Sequence, residues 1–114
     1  MSEVSQLVTL KVMDALVQRQ SAIAQNIANS GSLAYARKIV DFEAALRTAY
    51  AEGSQTLREF TPRMTSFGPL QPGGEIRLDL EMQSASANAL RYAAMSEVMG
   101  RQMSLAHLAV RGGQ

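Results

Sequence analysis

Few side chains in this chain could do chemistry. His107 is the only histidine of 114 residues and there is no cysteine, so the sequence offers neither a clustered metal site nor a thiolate nucleophile. Asp79 and Glu81 come nearest to a carboxylate pair for acid–base work. They sit two apart, Asp79 inside Glu75–Leu80, whose apolar residues alternate as in a half-buried strand, and Glu81 just beyond it, and they are not read as a paired acid–base site. Gly68 and Gly73-Gly74 lie among Pro69 and Pro72 without a following Lys-Ser/Thr, so they do not form a phosphate cradle. Nothing here suggests an enzyme, a cofactor or a small-molecule substrate. The remaining residues of interest would position partners instead of reacting. They are Asn26 and Asn29, polar groups at a helix end, and Phe42 with Leu46, an aromatic and an aliphatic residue four apart that make one apolar knob.

Eleven basic residues are scattered among ten acidic ones for a net charge of +1, which gives no footprint for nucleic acid. No apolar run approaches a membrane span, and Glu3 stands where a secretory signal would carry positive charge. Length fits a single domain over 1–114. The 46% hydrophobic fraction is rich in Ala and Met, with 5% aromatics and no Trp, so a well-filled solitary core is not expected.

Long helices at the two ends must position these residues. Ser5–Asn29 is free of Gly and Pro and places Met13, Leu16, Gln20, Ile23 and Ile27 at alternating spacings of three and four, a coiled-coil seam. Ser5 is the expected N-cap, and Gly31 the expected left-handed stop. Only Glu3, Lys11, Asp14 and Arg19 carry charge in the first thirty residues, so this helix lacks a solvated charged face. At the other end, from Leu80 to a stop at Gly112-Gly113, Met82, Ala85, Ala89, Tyr92, Ser96, Met99, Met103, Ala106 and Val110 repeat the spacing. Between them, 31–51 reads as a connector and a short helix from Asp41, with Asp41 as cap and Phe42 and Leu46 on one face. Residues 52–79, which hold every proline, read as an irregular or β insert with short strands at Thr56–Thr61 and Met64–Phe67. The expected fold is mainly α: an antiparallel, coiled-coil-like pair of terminal helices around a small middle region.

Asn26-Ile27-Ala28-Asn29, a short turn, Tyr35 and then Asp41-Phe42 resemble the N-terminal signature of the bacterial flagellar rod, hook and hook-associated proteins. Leu80-Glu81-Met82 and Asn88-Ala89-Leu90-Arg91-Tyr92 resemble the C-terminal part of the smallest, proximal rod members of that family. One departure is Ser32-Leu33-Ala34, where the family carries Thr-Pro-Gly before the tyrosine. The resemblance implies a structural subunit of the basal-body rod in the periplasm, exported through the flagellar type III apparatus without a cleaved signal. Its partners would be copies of itself, other rod proteins, and membrane-ring and export-gate components. Met13, Leu16, Ile23, Asn26, Ile27, Asn29, Tyr92, Met99 and Met103 would then pack helices between subunits, and Phe42 and Leu46 would meet the export gate. The alternatives are another axial protein of the rod and hook family, or a helical export chaperone or adaptor.

Overall fold

The computed structural model describes residues 2–68, 71 and 73–112. Helix α1 spans Glu3–Ala28 and starts a turn before the expected cap, because Ser2 Oγ accepts the Ser5 N–H at 3.1 Å. Its end is not a glycine stop. Asn29 Nδ2 donates to the Gln25 carbonyl at 2.8 Å, and the chain leaves through consecutive turns, Ser32 N–H to Asn29 O at 3.0 Å and Tyr35 N–H to Ser32 O at 3.3 Å. Positive φ falls on Gly53 and Gly73 among the described residues, and Gly31 does not need it.

The connector then forms strand β1 (Arg37–Val40), followed by α2 (Glu43–Glu52) and α3 (Ser54–Glu59). Asp41 is not the cap of α2; Phe42 holds that position, and Glu43 Oε1 reaches back to the Phe42 N–H at 3.3 Å. Gly53, at φ 122°, is the hinge between α2 and α3 that a residue with a Cβ would strain. Helix α3 replaces the strand expected at Thr56–Thr61. Its Leu57 is fully buried, and Lys11 of α1 donates to the Arg58 and Phe60 carbonyls at 2.8 Å each, a cation placed on a helix C-terminus. Strand β2 (Met64–Phe67) falls where it was expected and pairs antiparallel with β1, from Arg37 opposite Phe67 to Val40 opposite Met64.

The alternating Glu75–Leu80 segment does not become a strand, because α4 (Leu78–Gly112) has already begun there, with Leu78 and Leu80 exposed. Helix α4 runs straight through Gly100, where a Cβ would meet nothing. Pro69 and Pro72 of the expected irregular insert, and the Gly113 half of the terminal stop, lie outside the described residues.

The architecture is mainly α with antiparallel terminal helices, but the core is not where the seam spacing put it. Ala15, Leu16, Ala22, Val40, Phe42, Leu46, Ala49 and Leu57 form one buried cluster, so α1 packs its apolar side on β1, α2 and α3. Helix α4 lies along a neighbouring side of α1, with Met95 packed against the same cluster. The chain measures 62 × 28 × 14 Å, with a radius of gyration of 17.4 Å against about 13 Å for a compact domain of this length. Its surface of 7604 Å² exceeds the about 6,100 Å² of a compact monomer of this mass.

Candidate assembly interface

What joins α1 to α4 is a row of buried polar side chains. Glu81, Asn88 and Gln102 are 3%, 2% and 3% exposed, and each reaches a partner on α1. Glu81 Oε2 accepts from Asn26 Nδ2 at 3.2 Å, and Glu81 Oε1 accepts from Arg37 Nε of β1 at 2.7 Å. Asn88 Nδ2 donates to the Leu16 carbonyl at 2.8 Å and to Gln20 Oε1 at 2.9 Å. Gln102 Nε2 donates to Thr9 Oγ1 at 3.0 Å. Buried polar groups of this kind specify one register, since a slip of either helix would strand them. Asn88 Oδ1 and Gln102 Oε1 find no donor within the described residues, so the seam holds the helices in place without holding them tightly.

Asn26 does more than join the helices. Its Oδ1 accepts the Lys38 N–H at 2.8 Å and its Nδ2 donates to the Lys38 carbonyl at 2.7 Å, so the amide pairs with β1 as a neighbouring strand would. This closes the outer edge of β1. Arg19, seven residues earlier and so on the same face of α1, organises the end of β1 and the start of α2. It donates to the Val40 carbonyl at 2.9 Å, forks onto Glu43 at 2.5 and 3.1 Å, and lies 4.6 Å from the Phe42 ring centroid. That guanidinium holds the Glu43 carboxyl below the usual carboxylate range. Exposed Asp79 is likewise lowered by its hydrogen bond to Arg77.

Of the residues expected to pack helices between subunits, Leu16, Ile23 and Asn26 are buried within the chain. Met13, Ile27, Asn29 and Met99 are half-buried, while Tyr92 and Met103 are exposed. Phe42 and Leu46 lie in the core. His107 is exposed on α4, and Asp79 and Glu81 part company, one exposed and one buried. Of the expected α4 stripe, Ala85 and Met99 are half-buried, Met82, Ala89, Ser96 and Met103 fall one residue after the side facing α1, and Tyr92, Ala106 and Val110 are exposed. The side facing α1 is Glu81, Asn88, Met95 and Gln102, a seven-residue repeat in which three of four members are polar. That repeat was present in the sequence as a signal, and a search for apolar spacing passes over it. Thr9, Arg19, Arg37 and Lys11 were missed as well, because their partners are backbone carbonyls or side chains distant in sequence.

With polar residues turned inward, the apolar ones of α4 face out: Leu90, Met103 and Leu108 are 73%, 64% and 60% exposed. Open grooves flank the seam. The larger, about 580 Å³, has Val8 and Val12 of α1, Leu46 and Tyr50 of α2 and Met95 of α4 on its floor, with Arg47 and Arg91 at its rim. The other, about 410 Å³, runs between Val17 and Ala24 of α1 and Ala89 and Tyr92 of α4.

No protein-family model matches the chain, and no curated protein matches it. Among the described residues no helix is long and apolar enough to cross a membrane.

Proposed function

We propose that this protein is a structural subunit of the bacterial flagellar basal-body rod, of the kind represented by the proximal rod protein FlgB. The observation that carries an assembly role is the inversion of α4, polar toward its own chain and apolar toward its surroundings. A thin chain with some 1,500 Å² more surface than its mass requires has about what contacts of standard size with two neighbours would cover. Placement in the rod rests on the resemblance of Asn26–Asn29, Tyr35, Asp41-Phe42, Leu80–Met82 and Asn88–Tyr92 to that family. In this role the subunits pack terminal helices into a tube that transmits torque, with the middle region making lateral contacts.

Cells producing a tagged chain provide the test: the tag is expected in purified basal bodies, and deletion of the gene is expected to abolish motility. Absence of the tag from basal bodies with motility unaffected would remove the proposal. The export role of Phe42 and Leu46 applies to the unfolded chain, since both are core residues after folding. Phe42→Leu preserves an apolar core, so a fall in secretion with this variant would report loss of the aromatic signal itself. Unchanged secretion would dismiss that role.

A second reading, a helical export adaptor, is favoured by one feature: the terminal helices already satisfy much of their polar seam inside a single chain. Thermal melting separates the two. An adaptor is expected to melt as one cooperative unit at any concentration, whereas a rod subunit is expected to gain helix and melting temperature as concentration rises.

A further inference from the structure

The groove with the arginine rim and one exposed stripe of α1 are complementary and lie on opposite sides of the same helix. The groove floor takes Val8 and Val12 from α1. Leu10 and Asp14 stand two positions further along, about 200° around the helix at 3.6 residues per turn, and so face away from it. Leu10 and Val17 are 52% and 53% exposed, and with Asp14 between them they form a stripe at spacings of four and three. Asp14 is exposed and has no ion-pair or hydrogen-bond partner among the described residues. Arg47 and Arg91 are exposed at the groove rim and, among the described residues, have no acidic partner either, since Glu43, the carboxylate that also lines the groove, is paired with Arg19.

We infer that the occupant of this groove is the α1 stripe Leu10–Asp14–Val17 of a second copy of this chain, seated with Asp14 between Arg47 and Arg91. The two apolar residues meet the floor made by Val8, Val12, Leu46 and Met95, and the unpaired carboxylate meets the two unpaired guanidinium groups. Because stripe and groove are different surfaces on opposite sides of α1, the contact is heterologous: each copy offers one of each, and the series stays open instead of closing as a two-fold dimer. This inference rests on the reading of the chain as an assembly subunit and identifies which of its faces meet.

Charge exchange on the full-length chain tests it, with self-association followed by sedimentation velocity over a concentration series. Asp14→Arg turns the stripe against the arginine rim, and the double variant Arg47→Glu with Arg91→Glu turns the rim against Asp14. Each preparation alone is expected to need at least about tenfold higher concentration than wild type to associate. All three residues are exposed, and circular dichroism confirms that each variant retains its helix. Mixing the two preparations in equal amounts restores opposite charges at both kinds of junction, and alternating oligomers are expected to reappear near the wild-type concentration. Variants that associate as wild type does, a mixture that fails to recover, or a wild-type chain monomeric throughout would each overturn the inference. The rod reading is tested separately by the tagged chain in basal bodies, so stripe and groove can fail while that proposal stands.

Discussion

Asn26 is the residue on which three elements converge, with α1 supplying it, β1 paired to its amide and Glu81 of α4 bonded to its Nδ2. Removing the amide leaves the Lys38 N–H and carbonyl without partners and takes one donor from a buried carboxylate. Asn26→Ala is therefore expected to cost about 2–4 kcal/mol in urea unfolding, two or more buried groups being orphaned at once. The sequence marked Asn26 as a positioning residue at a helix end, but it could not say that the amide would lie against a strand twelve residues ahead. Glu43 gives a weaker, pH-dependent effect. Its carboxyl is lowered by Arg19, so the folded state binds that proton less readily than the unfolded state. Its contribution is complete above the ordinary value of 4.5 and is lost as pH falls through the lower folded value. The side chain is 51% exposed, so screening leaves no more than a few tenths of a kcal/mol. Melting temperatures followed from neutrality down to about pH 3 are expected to fall slightly less steeply below pH 4.5 for Glu43→Gln than for wild type.

Helix α4 shows at the scale of elements why its existence was legible and its orientation was not. Length, the single Gly100 and the spacing of small and apolar residues mark a long helix, and the chain forms one. Spacing identifies the apolar side, and the usual inference is that this side faces the partner helix. Here α1 takes the polar comb Glu81, Asn88 and Gln102, and of that repeat Met95 alone reaches the apolar cluster that α1 builds mainly with β1, α2 and α3. The misread strand at Thr56–Thr61 has a similar origin. Leu57 is drawn into the core and Lys11 covers the carbonyls at the end of α3, two tertiary contacts that outweigh the propensity of so short a segment. The polar comb makes opposite predictions for its members. Gln102→Leu removes an acceptor without a donor and costs only one bond to Thr9, whose hydroxyl still donates to the Ser5 carbonyl at 2.9 Å. It is expected to leave unfolding free energy unchanged or raise it by up to about 1 kcal/mol. Glu81→Leu leaves Arg37 and Asn26 facing an apolar side chain and is expected to destabilise by about 3 kcal/mol or more in the same urea titration.

The whole molecule carries the consequences of that arrangement unevenly along its length. Near the Asn26 end the helix pair is anchored by a buried carboxylate with a cation and an amide, and by the sheet behind it. Toward the other end, Gln102 with Thr9 is the last hydrogen bond between α1 and α4 among the described residues, and ten residues of α4 continue beyond it with Leu105, Leu108 and Val110 exposed. Backbone amides there are held by helical bonds alone, and an unsupported end of two or three turns opens at little cost. Amide hydrogen exchange on the dilute chain is therefore expected to be slow through α1 and α2, intermediate around Asn88, and fast beyond Gln102. Raising the concentration until the chain associates is expected to slow exchange in that distal part of α4 if a neighbouring chain covers the exposed apolar residues. Uniform slow exchange along α4 in the dilute chain would mean that the polar seam holds the whole helix by itself, leaving the outward apolar residues nothing to gain from a neighbour in order or stability.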